Sequence, residues 1–219
     1  MITIYGVYRS RALRNFWLCE EAGISFRHVP VIQTFRLPDP PPADAPLHTR
    51  SAAFLAINPN GQVPTLEEDG LVMGESLAIN LHLARRHGGA LGPRDAREDG
   101  LMTQWTLWAA TEVEPRSHAI LMNRVQLPPA QREETKVAAA VAALRHPFAV
   151  LEAAVADSGH LVGGRFTVAD INVAEALRYA LPASELFEAA PRAKAWLAAC
   201  QARPAYRKIV ARRDEEPAL

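Results

Sequence analysis

The 219-residue sequence predicts an α/β domain over residues 1–87, a linker over 88–94 and an all-α domain over 95–219. Three observations predict this. Short apolar runs that read as strands lie only in the first part of the chain. The glycine-rich stretch Gly88-Gly89-Ala90-Leu91-Gly92-Pro93 interrupts the pattern once. Beyond it the apolar spacing is helical throughout.

Ile2-Thr-Ile-Tyr5 is the first strand, ended by Gly6. A helix follows over about 11–22, with Leu13, Phe16 and Trp17 on one face and Gly23 as its stop. Phe26 to Ile32 reads as a second strand. Pro38, Pro40, Pro41, Pro42 and Pro46 then make a loop, because repeated proline removes donors and forbids a regular helix. A short helix near Ser51-Ala-Ala-Phe-Leu stops before Pro59. Thr65-Leu-Glu67 and Leu71-Val-Met73 are strands turned at Gly70. From Glu75 to about His87, Leu77, Ile79, Leu81 and Leu83 alternate as in a strand, yet Ala78, Ala84, Arg85 and Arg86 favour a helix.

In the second part, Asp95 to about Val125 is one long helical segment that Pro115 bends or breaks. Pro128 or Pro129 opens the next, with a kink expected at Pro147 and a stop at Ser158-Gly159. Thr167-Val-Ala-Asp170 is a capping box with aspartate in the last position, and Phe166 with Ile171 forms a hydrophobic staple. The helical reading runs on through Trp196-Leu197 and Arg203-Pro204-Ala205-Tyr206. The mixed-charge tail from Arg212 reads as loose.

Composition narrows the function. Lys plus Arg and Asp plus Glu number 24 each, so no field favours nucleic acid or an anionic membrane. Cys19 and Cys200 form no Cys-x-x-Cys pair, which excludes a dithiol motif and fits a reducing, cytoplasmic compartment. No signal peptide is expected at the start, and no apolar run reads as long enough to span a membrane. The histidines show no metal-ligand spacing (His82 and His87 sit five apart), so no metal is expected.

The most informative stretch is Asn58-Pro-Asn-Gly-Gln62-Val63-Pro64-Thr-Leu66, followed by Glu75-Ser76. Pro64 stands where a strand begins, a place proline tolerates poorly unless the bond before it is cis. Such a bend leaves the backbone N–H and C=O of Val63 able to pair with an extended peptide. Ser76 at a helix start suits a carboxylate, and Glu75 beside it suits an ammonium. Together these features describe a receptor for a small zwitterionic peptide. The pattern resembles the glutathione site of the cytosolic glutathione S-transferase family, and the resemblance runs from Ile4 to about Val210.

The resemblance implies a thioredoxin-like N-terminal domain followed by an all-α helical-bundle domain carrying the electrophile site. It implies glutathione bound by Gln62, Val63, Pro64, Glu75 and Ser76. It also implies a homodimer of bacterial serine-like type, with glutathione as co-substrate and a hydrophobic electrophile as second substrate in detoxification. Arg50 either meets the glycyl carboxylate of glutathione or is a solvated arginine. The thiol must ionise, and a hydroxyl donating to the sulfur lowers its pKa. Ser10 is placed for that role or for capping the first helix; Tyr5 and Tyr8 are its rivals. Trp108, Glu112 and Arg116 share a helix face, with Trp105, that faces the electrophile in this reading. Related enzymes using glutathione as isomerases, dehalogenases or peroxidases are the alternative, as is a non-enzymatic interaction module.

Overall fold

The computed structural model describes residues 1–217 and divides them into two compact units. The first comprises residues 1–89 together with the segment from Pro204; the second is Ala90–Arg203. The single cut expected near residues 88–94 therefore misplaces the C-terminal helix, which returns to the first unit.

In the first unit, β1 (Ile2–Tyr5) is a fully buried inner strand of a four-stranded sheet. It pairs in parallel with β2 (Arg27–Val29) and antiparallel with β3 (Thr65–Glu68), which pairs antiparallel with β4 (Leu71–Met73). The second strand is shorter than expected. Its continuation survives as a bridge between Ile32 and His48 at the neck of the proline loop. That loop holds a cis Asp39–Pro40 bond.

Helix α1 (Leu13–Ala22) buries Leu13, Phe16 and Trp17, as its spacing predicts, and ends on a left-handed Gly23. Helix α2 (Ala52–Leu55) contributes Phe54 to a small core with Tyr5 and Val31. Helix α3 (Ser76–His87) forms where the alternating leucines left helix and strand in competition; Leu77, Ile79, Leu81 and Leu83 are all buried. Alternation suits a helix covered on more than one side.

A polar seam joins α1 to α3. Arg14 and Asn15 are as buried as the leucines around them. Arg14 donates to Ser76 Oγ at 3.1 Å, and Asn15 donates to the Ser76 carbonyl at 2.8 Å and to Asn80 Oδ1 at 2.7 Å. Buried polar groups are costly unless paired, so this network fixes the register of the two helices.

The second unit holds α4 (Ala96–Trp108), α5 (Glu114–Leu121), α6 (Glu134–Ala154), α7 (Val168–Leu177), α8 (Ser184–Glu188) and α9 (Pro191–Ala202). The bend expected at Pro115 takes the form of a π turn, Ala109–Val113, between α4 and α5. Helix α6 continues unbroken through Pro147. The carbonyl that proline deprives of a donor belongs to Ala143, which is exposed to water. At 21 residues α6 is also long and apolar enough to cross a membrane by length and composition, against expectation. Its hydropathy comes from alanines, while Val137, Val141, Leu144, Phe148 and Leu151 bury themselves in the unit.

Helix α10 (Pro204–Glu215) belongs to the first unit and packs on α1. Tyr206 meets Trp17 edge to face, ring centroids 4.7 Å apart, and Lys208 pairs with Glu20. The tail expected to be loose from Arg212 is thus helical to Glu215. Residues 218 and 219 of that expectation lie outside the described residues.

Candidate active site

Three segments of the first unit carry the residues singled out in the sequence. The first is the turn from β1 into α1. Gly6 has φ of +148°, and its N–H donates to the Val29 carbonyl. A Cβ at Gly6 would lie 2.7 Å from Ala12 Cβ, 3.5 Å from Val63 Cβ and 3.6 Å from Ser10 Oγ. Position 6 must be glycine, and Ser10 and Val63 converge on it. Ser10 Oγ donates to the Val7 carbonyl at 2.7 Å and accepts from the Ala12 N–H at 3.1 Å. The Ser10 N–H also donates to the Val7 carbonyl, at 3.1 Å. Helix α1 begins at Leu13, two residues later than expected.

The two tyrosines are placed differently. Tyr5 is buried in the sheet core against Phe54, and its hydroxyl donates to Glu67 at 2.8 Å. Burial, then the Glu67 carboxylate, hold its pKa above the ordinary value. Tyr8 packs its ring on Phe16 and edge-on to His28, and its hydroxyl accepts from Arg212 at 3.1 Å. Cys19 is sealed in the core, its thiol pushed up to about 12 by burial and, secondarily, by Glu20.

The second segment is Asn58–Pro64. The buried Asn58 side chain organises it, donating to the Gln62 carbonyl at 2.9 Å and to Thr65 Oγ1 at 2.8 Å while accepting from the Asn60 N–H. Gly61, at φ +57°, lets this turn lie against the Thr49 carbonyl, which a Cβ would approach to 2.7 Å. Arg50, next in the chain, is exposed, and its backbone N–H donates to His48 Nδ1. The Val63–Pro64 bond is cis, and Gln62 is exposed. Among the described residues the backbone N–H and C=O of Val63 make no hydrogen bond, whereas the next residues enter the β1–β3 ladder. Asn58 was quoted in the motif but given no role by the sequence. Its position in an Asn-Pro turn seven residues before a strand threonine was the available signal.

The third segment is the start of α3. Glu75 has φ of +64° and ψ of +101°, a strained conformation for a residue with a Cβ. Its exposed side chain makes no capping hydrogen bond. Ser76 is buried, its hydroxyl accepting from Arg14. The α1–α3 seam therefore sets where this helix start faces, a long-range link that sequence reasoning missed.

In the second unit, Trp105 and Trp108 stack edge to face, centroids 5.0 Å apart, and both are half-buried. Arg116 turns back on its own helix, donating to the carbonyls of Thr111 at 2.9 Å and Glu112 at 2.7 Å and pairing with the Glu112 carboxylate at 3.4 Å. The Thr111 carbonyl is the one that Pro115, lacking an N–H, leaves without an α-helical donor. Arg116 repairs that break. Among the described residues no three His, Cys, Asp or Glu side chains group as metal ligands.

Comparison with known proteins identifies the family. The N-terminal domain model of glutathione S-transferases matches residues 8–86, and the C-terminal domain model matches 114–204. Glutathione S-transferase 4 of Zea mays is 31% identical over 218 residues, covering 95% of this chain and 91% of that protein. This chain belongs to the glutathione S-transferase family. Glutathione S-transferase GstB of Escherichia coli is 28% identical over 96% of this chain and 98% of that protein. A crystal structure of a theta class glutathione S-transferase from Xanthomonas axonopodis pv. citri, with glutathione bound, superposes with a TM-score of 0.76 at 30% identity, covering 95% of this chain and 96% of that one. Within the glutathione S-transferase fold, the unit with the mixed sheet corresponds to the N-terminal domain and the helical unit to the C-terminal domain.

Proposed function

We propose that this protein is a glutathione S-transferase that ionises the glutathione thiol with Ser10 and adds the thiolate to a hydrophobic electrophile. The observation that carries the reading is the convergence of Ser10 Oγ and Val63, with its unpaired backbone groups, on Gly6. The extended peptide pairs with Val63 beside Gln62 and Pro64. Its γ-glutamyl ammonium meets Glu75, the carboxylate of that residue meets the start of α3 at Ser76, and its glycyl carboxylate meets Arg50. The sulfur then lies beside Ser10.

Ser10 acts by donating its hydroxyl proton to the thiolate. That proton is engaged with the Val7 carbonyl, so the hydroxyl must turn about its Cβ–Oγ bond, which leaves Oγ in place to accept from the Ala12 N–H. The carbonyl keeps its hydrogen bond from the Ser10 N–H, so the rotation leaves no unpaired buried acceptor. A free thiol with pKa of about 8.5 is only a few per cent ionised at neutral pH, and one hydroxyl donor moves that balance toward the nucleophile. Tyr5 suits the role less well, because its phenol is buried and bound to Glu67. Tyr8 has its phenol oxygen engaged, accepting from Arg212. Trp108, Glu112 and Arg116 are the electrophile-side candidates, with Arg116 also completing the π turn. A cytoplasmic homodimer acting in detoxification, without nucleic acid or membrane, completes the reading.

Calorimetry with glutathione and with its S-methyl form tests this. Binding of both, with proton release only for glutathione, is the expected result. No binding of either removes the reading and favours an interaction module. The Ser10→Ala variant binds glutathione normally and turns over slowly; unchanged turnover transfers the donor role to Tyr8.

A further inference from the structure

The residues just before Ser10 are held by the far end of the chain. Both carboxylate oxygens of Glu216 accept backbone hydrogen bonds: from the Tyr8 N–H at 2.9 Å and from the Arg9 N–H at 2.8 Å. Successive N–H groups converging on one anion form a backbone nest, and a carboxylate is the acceptor such a nest favours. The surroundings reinforce it. Arg9 Nε donates to the Glu216 carbonyl at 3.2 Å, and Arg36 donates to the Arg9 carbonyl. Burial lowers the Arg36 pKa and the Glu216 charge opposes that drop, so the two side chains share one neighbourhood. Arg212 reaches the Tyr8 hydroxyl from the same helix. Tyr8 and Arg9 therefore have both N–H groups, the Arg9 carbonyl and both side chains held by α10 and its following residue or by Arg36.

We propose that Glu216 is a positioning residue for Ser10: its carboxylate locks the Tyr8–Arg9 peptides so that the Ser10 hydroxyl can swing from the Val7 carbonyl to the thiolate. This rests on Ser10 being the thiol donor. The geometry explains why such a lock is useful. Ser10 lies one residue past the nest, in a turn held locally by its hydroxyl and N–H on the Val7 carbonyl, by the Ala12 N–H on Oγ and by the Leu13 N–H on the Ser10 carbonyl. When the Ser10 hydroxyl turns from the Val7 carbonyl, the turn loses one of these ties. The bidentate carboxylate is what then keeps the hydroxyl within hydrogen-bonding reach of the sulfur. A donor misplaced by about 1 Å forfeits much of its effect.

The test is a cycle of Glu216→Ala, Ser10→Ala and the double variant in the full chain, with glutathione and an activated aryl chloride. Glu216→Ala is expected to lower kcat by roughly 3- to 10-fold while the KM for glutathione changes by less than about two-fold. The pH–rate profile shifts alkaline by about half a unit to one unit, because the bound thiol loses a well-placed donor. Glu216→Gln, which keeps the size and one acceptor oxygen, falls between. In the double variant kcat equals that of Ser10→Ala to within about two-fold, since the two residues act as one device.

If Ser10→Ala is impaired while Glu216→Ala keeps both kcat and the pH profile, the inference fails and the serine reading stands. If the two losses multiply in full, Glu216 acts elsewhere and the inference also fails. If Ser10→Ala itself matches wild type, the serine reading falls and takes this inference with it. Melting temperatures of all variants separate a positioning loss from unfolding: a kcat loss in Glu216→Ala that Glu216→Gln does not share, and that follows a melting shift, overturns the proposal.

Discussion

Two helix starts in this molecule are built in opposite ways. At α7, Thr167 and Asp170 are completely buried, and every hydrogen-bonding direction of the aspartate is used. Asp170 accepts from the Thr167 N–H and Oγ1, the Leu161 N–H and the indole of Trp196. At α3, Glu75 sits in a strained left-sided conformation with its carboxylate exposed and uncapped. A sealed helix start contributes to folding. A strained and open one stores free energy that a ligand can recover, and such strain concentrates at functional sites. The same residue types, a hydroxyl and a carboxylate, thus serve opposite ends according to whether their partners lie inside the protein.

Removing the seal should have the largest effect. Asp170→Ala leaves several buried donors unsatisfied and is expected to cost about 3 kcal/mol or more of stability, read by chemical denaturation. The activity of the remaining folded protein should be unchanged; a specific loss of turnover would assign Asp170 a chemical role.

Next comes the open start. Glu75→Ala should weaken glutathione binding by roughly 10- to 100-fold, since a charged hydrogen bond contributes about 1.5–3 kcal/mol. Stability should hold. Equal affinity in the variant would remove the peptide-receptor reading.

A third helix start sharpens the contrast. At α4, Asp95 caps the Glu98 N–H, and Glu98 accepts from the Arg94 N–H and from both terminal nitrogens of Arg165. The Arg165 hydrogen bonds, then the Arg94 N–H, lower the Glu98 pKa to about 2 from 4.5. An acid whose folded pKa is depressed stabilises above its unfolded pKa and loses that contribution as pH falls through the folded one. The stability advantage of wild type over Glu98→Gln should therefore be complete above pH 4.5 and fade as the pH approaches 2. A pH-independent difference would mean that the clamp acts through packing alone.

The smallest effect should be a gain. Glu75→Gly relieves the strain at φ +64° and should stabilise the protein by roughly 0.5–1 kcal/mol while losing affinity. A loss of stability would show that the Glu75 side chain supports the fold.

The sealed start was legible in the sequence because a capping box is a local pattern, complete within four residues. So was the Asn58–Pro64 turn, whose glycine and prolines carry their own conformational demands. The α3 helix was legible only against its alternating leucines, since helix propensity outweighed the period. What could not be read was whatever joins distant segments. Arg14 and Asn15 look like solvated residues of α1, and only Ser76 and Asn80, over sixty positions away, make their burial tolerable. The charged residues after Arg212 read as tail for the same reason: their partners, Tyr8 and Arg9, are about two hundred residues upstream. Arg116 looked like a ligand contact because sequence spacing shows which face a residue shares but not that Pro115 has freed a carbonyl beside it.

The return of α10 to the first unit has a consequence for synthesis. Domains usually fold in the order in which they leave the ribosome. Here the helical unit is contiguous, and all of its residues have been translated by Arg203, while the first unit still lacks the helix that covers Trp17 and the carboxylate that holds Tyr8 and Arg9. The half of the chain made first is completed last.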